Sequence, residues 1–222
     1  MQISQYEYIN AHTHHVTKTS DVQVLNTFAD TILPGISPNV YFSSGIHPWY
    51  LDNWELKIES LLHKVHNPNV IAIGECGLDT YSDFPKDLQR KVFCLQVEYS
   101  ESFKKPLIIH CVKAFHDLFQ IHKMYRCTMP WIIHGFSGSA EIVQKCIAEG
   151  MMLSFGKHLF TENSHSFRIA TNISLAHVLL ETDESQRPIS DIYLRFSELR
   201  KIGIVTLKET IAANFNRCFL PR

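Results

Sequence analysis

Short apolar runs alternate with longer amphipathic stretches along the whole chain. Tyr8 to Ala11 reads as a first strand and Val22 to Phe28 as a weaker second. Val40 to Gly45 follows the turn-rich Pro34 to Asn39, and Val70 to Gly74 is short and β-branched. Leu107 to Ile109 and Trp131 to Ile133 each follow a proline, and Met151 to Phe155 and Val178 to Leu180 complete the set. Continuous apolar runs of this length, bounded by turn residues, fit strands buried on both faces. Apolar spacing of three and four marks helices over Trp54 to His66, Asp87 to Lys104, Ala114 to Met124, Ser139 to Glu149 and Ile189 to Lys201. Gly150 and Gly203 stand where helix C-terminal signals belong, and Thr206 with Glu209 suggests a capped start to a helix ending at Phe219.

Strand-helix alternation argues for a parallel sheet with helical crossovers. About eight such repeats favour closure into a TIM-type (β/α) barrel over an open sheet. The segment from Val16 to Asn39 is too short for two full repeats, so one helix there is expected to be missing or rudimentary. Residues 1–222 carry no internal repeat, linker or low-complexity tract, and 45% of them are hydrophobic, which suits a single domain with a large core. Met1 to Tyr8 is polar, and no apolar run reaches the roughly 20 residues of a membrane span. The expected location is the cytoplasm, with no membrane partner and no obligate protein partner evident.

A formal net charge of -1 gives no basic patch for long-range attraction to a duplex. A nucleic-acid substrate would have to be held by local contacts and by metal. The six cysteines are irregularly spaced without a C-x-x-C pair, as reduced thiols of a cytosolic protein would be. The fourteen phenylalanines are expected in the core and need no stacking role.

The chemistry lies at the ends of the expected strands. The first runs into His12-Thr13-His14, the fourth into Glu75, the fifth into His110, the sixth into His134, and the eighth is followed by Asp183. In a barrel these ends converge on one face, where active sites form. A lone histidine at a strand end is usually a hydrogen-bonded structural residue, and a lone aspartate can cap a helix. Six metal-capable side chains at five strand ends are poorly explained that way. Alternate residues of a strand point to one side, so His12 and His14 can face one ion. Imidazole with carboxylate suits zinc, manganese or iron, and carboxylate with water suits magnesium. A carboxylate such as Glu75 can bridge two cations, which in such sites lie roughly 3.5–4 Å apart. His47, in Gly-Ile-His-Pro-Trp, reads either as part of a turn or as a phosphate contact, and the second is preferred because its strand end faces the site. Lys157 and His158 follow the seventh strand as substrate contacts or solvated residues, and Asp79 as a second anchor or a helix cap. The remaining histidines, from His15 to His177, are expected in packing or at the surface.

Asn10-Ala11-His12-Thr13-His14, Gly45 to Trp49, Ile73 to Asp79, Pro106 to Cys111, His134 to Gly138 and Glu181-Thr182-Asp183 together resemble the TatD-related deoxyribonucleases. The resemblance runs from Asn10 to Asn214. It implies a barrel hydrolase of the amidohydrolase-like group that trims DNA ends by phosphodiester hydrolysis with two divalent ions, magnesium, manganese or zinc. It implies that His12, His14 and Asp183 hold a first ion, that His110 and His134 hold a second, and that Glu75 bridges them. Asp183 is then the residue that orients or deprotonates the attacking water, so Asp183 and Glu75 are the catalytic pair. Many amidohydrolases carry a carboxylated lysine where Glu75 stands. The chain also departs from the family pattern. Val112 occupies the place of a frequent arginine, leaving Lys113, with His47 and Lys157, as the expected substrate contacts. The loop after Asp183 is short, and Asn10 replaces a common aspartate. These departures keep a second function open, the hydrolysis of a small amide, ester or lactone on the same metals; the intact ligand set argues against a third, a scaffold that retains the site as structure, because buried unpaired histidines and carboxylates are costly without a metal.

Overall fold

The structure, a computed structural model, describes residues 8–17, 21–35 and 38–220. Met1 to Glu7, and Ile36 and Ser37 within the expected turn, lie outside the described residues. Eight strands form one sheet in chain order: β1 (Ile9–Thr13), β2 (Val22–Phe28), β3 (Val40–Gly45), β4 (Val70–Asp79), β5 (Leu107–Val112), β6 (Trp131–Ile133), β7 (Met152–Phe155) and β8 (Val178–Leu180). Just beyond β8 the chain returns to β1, where Thr13 and Asp183 form a parallel bridge. The N–H of His14 donates to the Asp183 carbonyl, and that of Asp183 to the His12 carbonyl, each at 3.1 Å. The helices are α1 (Trp54–Lys64), α2 (Lys86–Phe103), α3 (Phe115–Tyr125), α4 (Ala140–Ala148), α5 (His165–Ala170), α6 (Ile189–Arg200) and α7 (Ile204–Phe219). From β3 onward every strand is followed by a helix, which makes the fold the expected TIM-type barrel. Among the described residues neither connection flanking β2 carries a helix. No helix among them is long and apolar enough to cross a membrane.

Internal contacts group the chain into two compact units. The first comprises Met1–Leu25, Pro38–Val40 and Ile133–Arg222. Its core includes Ile9, Leu153, Phe155, Phe196, Ile211 and Phe215, each fully buried. The Tyr193 hydroxyl on α6 accepts the Ile9 N–H and donates to the Ile9 carbonyl, both at 3.1 Å, so a helix side chain holds the first strand. Asn214 on α7 donates to the carbonyls of Leu175 and Val178 at 2.7 and 2.8 Å and fixes the start of β8.

The second unit comprises Asn26–Ser37 and Tyr41–Ile132, built around β4, all ten residues of which are buried. Two buried glutamines of α2 fasten strand ends. The Gln96 amide accepts the Ile46 N–H at 2.8 Å and donates to the Ile46 carbonyl at 3.1 Å, while Gln89 accepts the Asp79 N–H at 2.9 Å. Gly77, at φ 139°, lies so close to β5 that a Cβ would stand 2.0 Å from the His110 carbonyl oxygen, so only glycine fits the pairing.

Several expected ends move. β1 extends through Thr13, β4 through Asp79 and β5 through Val112, so His12, Glu75 and His110 lie within strands rather than after them. Gly150 does take the left-handed position after α4, at φ 74°. After α6 that position belongs to Lys201, at φ 54°, and Gly203 instead precedes α7 in an extended conformation. Thr206 is therefore inside the first turn of α7 rather than its cap.

Candidate functional site

In the first unit, His12, His134 and Asp183 bring potential ligand atoms within 4.8 Å of one another. His12 is buried on β1, and its ring meets those of His14 and His134 at centroid distances of 5.1 and 4.5 Å. The Nε2 atoms of His12 and His14 lie 3.8 and 3.6 Å from Asp183 Oδ1. Lys157, opening the turn after β7, places Nζ 3.0 Å from the other oxygen, Oδ2. Burial pushes the Asp183 carboxyl up, but the facing His12 and His134 imidazoles and Lys157 outweigh it and hold the group below the usual range. Burial likewise works against the Lys157 ammonium, and Asp183 overcomes it, raising that pKa.

Two residues before Asp183, and fully buried, Glu181 accepts the Gly135 N–H at 2.6 Å with Oε1, which also lies 3.6 Å from His134 Nδ1. Its Oε2 has no hydrogen-bond partner among the described residues. Thr182 faces Asn10, whose Nδ2 donates to the threonine hydroxyl at 2.7 Å while its Oδ1 accepts the Thr182 N–H at 3.0 Å. The amide uses both its donor and its acceptor, which an ionised aspartate could not do.

In the second unit, His47, Glu75 and His110 form a corresponding group, also within 4.8 Å. Glu75 and Asp79 stand four residues apart on β4 and so share a face, with the side-chain-free Gly77 between them. The His110 ring lies across that gap. Its Nδ1 is 3.1 Å from Glu75 Oε1 and its Nε2 is 2.8 Å from Asp79 Oδ2. Asp79 also accepts the Trp49 indole N–H at 2.8 Å and the Tyr81 N–H at 2.8 Å. Burial pushes the Asp79 carboxyl up, and its bonds to His110, Tyr81 and Trp49 bring it below its ordinary value. An ionised Asp79 holds the proton of His110 on Nε2 and leaves the Nδ1 lone pair toward Glu75, an arrangement common behind metal-bound histidines. His47 has the complementary tautomer. Its Nδ1 accepts the Trp49 backbone N–H at 3.1 Å, so Nε2 carries the proton and points to Glu75 Oε1 at 3.1 Å. His47 is thus a donor, whereas His110 offers a lone pair.

By unit, His12, His14, His134, Asp183 and Lys157 belong to the first, and His47, Glu75 and His110 to the second. Lys113 is exposed at φ 52°, with Nζ 4.9 Å from the centre of the Tyr81 ring. Glu181 carries no role in the sequence argument, although its spacing from Asp183 could have suggested one. Asn26, whose Oδ1 accepts the Glu75 N–H at 2.8 Å, had no signal beyond a polar residue in an apolar strand. All six cysteines are free, as their spacing implied.

The donor sets fit divalent ions. Both combine imidazole with carboxylate, and ligand atoms within 4.8 Å of one another are close to spanning an ion bonded at about 2.0–2.2 Å.

Comparison with known proteins gives a consistent picture. The profile of the family described as TatD related DNase matches residues 8–220. Over 148 residues the chain is 32% identical to the uncharacterized metal-dependent hydrolase YabD of Bacillus subtilis, covering 65% of this chain and 58% of that protein. Over 115 residues it is 29% identical to the 3'-5' ssDNA/RNA exonuclease TatD of Escherichia coli, covering 50% of this chain and 44% of that protein. The chain thus spans about half the length of the curated relatives it matches. The crystal structure of YjjV, a TatD homologue from Escherichia coli, superimposes with a TM-score of 0.83 at 20% identity, covering 97% of this chain and 99% of that one.

Proposed function

Because the chain belongs to the TatD related DNase family, we propose that it hydrolyses phosphodiester bonds in single-stranded DNA or RNA, working from a strand end with divalent ions. The observation that carries this reading is the pair of imidazole-carboxylate groups carried within β1, β4 and β5 and just beyond β6 and β8. His12, His14, His134 and Asp183 would hold one ion, and Glu75 with His110 another, the ions being magnesium, manganese or zinc. When bound, a divalent ion supplies a water of lowered pKa and positive charge for the phosphoryl oxygens.

The chain's own residues do the rest. Asp183, kept ionised by its neighbours, orients the attacking water and accepts its proton. The Lys157 ammonium and the Nε2–H of His47 are donors matched to non-bridging phosphoryl oxygens. Asp79 fixes the ring of His110, and Glu181 lies where it would fix that of His134. The substrate class follows the Escherichia coli relative named as an ssDNA/RNA exonuclease.

The test is a comparison at equal concentration of metal-loaded protein. Single-stranded DNA and RNA oligomers should be shortened from an end faster than dipeptides, dihydropyrimidine-type amides or lactones turn over. Efficient cleavage of an amide or lactone, with every phosphodiester untouched, overturns the reading.

A further inference from the structure

A cleft of about 300 Å³ opens in the second unit beside His47. That volume is at the small end of ligand sites, roughly 300–1,000 Å³. Its walls include Phe28 and Tyr50, which remain 38% and 46% exposed. The Phe28 and Tyr50 rings meet edge to face at 5.3 Å, and Tyr50 meets His47 at 5.7 Å. An aromatic lining thus leads directly to the histidine whose Nε2 faces Glu75.

The far rim has a different chemistry. Lys57 Nζ donates to the Tyr50 carbonyl at 3.0 Å, pairs with Asp52 at 3.1 Å and lies 3.8 Å from Asp30. Its side chain is only 12% exposed, whereas those of Asp30 and Asp52 are 49% and 65% exposed. A second ammonium, that of Lys64, donates to the Phe28 carbonyl at 2.6 Å and faces Asp30, so the rim is close to charge-balanced, and its two exposed carboxylates present acceptors. A planar ring carrying amino N–H groups suits both ends.

We propose that this cleft is a base-binding subsite. It takes the nucleobase of a nucleotide whose phosphate lies at His47, and it favours bases with an exocyclic amino group (adenine, cytosine, guanine) over thymine or uracil. Tyr50 and Phe28 supply stacking surface, which tolerates any base. Asp30 and Asp52 accept the amino hydrogens, which thymine and uracil lack. The assignment rests on the phosphodiesterase reading for its ligand, and the test separates the two.

Binding of AMP, UMP and ribose 5-phosphate to the full chain is measured by calorimetry with magnesium present. AMP should bind more tightly than UMP by about 3- to 10-fold, and ribose 5-phosphate more weakly than either. Tyr50→Ala and Phe28→Ala should each weaken AMP by roughly 5- to 100-fold, the range typical of a lost stacking ring. Tyr50→Phe, which keeps the ring, should retain AMP binding and so exclude general damage to the fold. Asp30→Ala combined with Asp52→Ala, which removes both acceptors, should reduce the preference for AMP over UMP. Equal affinity for AMP and ribose 5-phosphate, or AMP binding unaltered in both alanine variants, overturns the proposal. Ring-dependent AMP binding by a protein that cleaves no phosphodiester upholds the cleft and removes the hydrolytic reading. Cleavage of oligomers without this binding pattern does the reverse.

Discussion

Asp183 combines three constraints on one side chain. It sits at φ 56°, a left-handed conformation that aspartate tolerates better than most residues, three residues beyond β8 where it bridges to Thr13 of β1. Its two oxygens face different partners, His12 and His14 on one and Lys157 on the other. In Asp183→Asn the backbone geometry and one acceptor survive, but the group no longer takes a proton. Turnover should fall by about 10²- to 10⁴-fold, the usual cost of losing a general base. Single-turnover cleavage of a DNA oligomer, beside a thermal melt showing an unchanged fold, checks this. Near-normal turnover with retained metal removes the role. The metal-capable residues were legible because their types are rare at strand ends in this combination. The tautomers were not: that of His110 depends on the Asp79 carboxylate of the neighbouring strand, and that of His47 on a turn geometry that brings the Trp49 N–H back onto Nδ1. Lys113 is expected as a substrate contact because Val112 stands where an arginine is frequent, and its Nζ lies 4.9 Å from the centre of the Tyr81 ring.

Among the elements, β4 shows why the sequence understated the strands. Its apolar run stops at Gly74, and Glu75 resembles the start of a loop. The strand continues because its pairing with β5 persists as far as Asp79 and Val112, and because the polar side chains find partners within the unit. Helix positions were easier to locate than helix ends, because capping at Lys201 and Gly203 is decided by local geometry that composition describes poorly. A comparable tertiary tie joins α2 to the turn before β6. Glu101 accepts the backbone N–H groups of Thr128 and Met129 at 2.8 and 2.9 Å, and the Thr128 hydroxyl at 2.6 Å. Burial pushes this carboxyl up, and the three bonds outweigh it, leaving the folded-state pKa below the ordinary value. The stability it contributes is complete above the unfolded pKa of about 4.3 and is lost as pH falls through the lower, folded value. Glu101→Gln should therefore be less stable than the parent at pH 7 by about 1 kcal/mol. The difference should narrow toward pH 3. Urea midpoints across this range check it, and a difference independent of pH refutes the assignment.

At the scale of the molecule, the repeating pattern of apolar runs carried the barrel, and among the described residues of the short Val16 to Asn39 segment no helix flanks β2. If the imidazole-carboxylate groups hold divalent ions as proposed, the ions should raise stability as well as support activity. Ions that bind the folded chain and not the unfolded one raise stability by roughly 2.7 kcal/mol at a hundredfold excess over Kd. For a chain of 222 residues this corresponds to a rise in Tm of roughly 5–10 °C. Melting in manganese, followed by melting in excess chelator, should show that difference. His12→Ala combined with Asp183→Ala should reduce it, and an identical Tm in both conditions would argue against tight ion binding.

The Tyr193 hydroxyl that grips Ile9 joins residues 184 positions apart. On a ribosome β1 emerges before α6, and the second unit is drawn from the stretch between them. At roughly 5–20 residues per second, the nascent first strand waits many seconds for the side chain that completes its hydrogen bonds. Truncation before Tyr193 should therefore leave β1 without this partner and make it the first segment cut by protease.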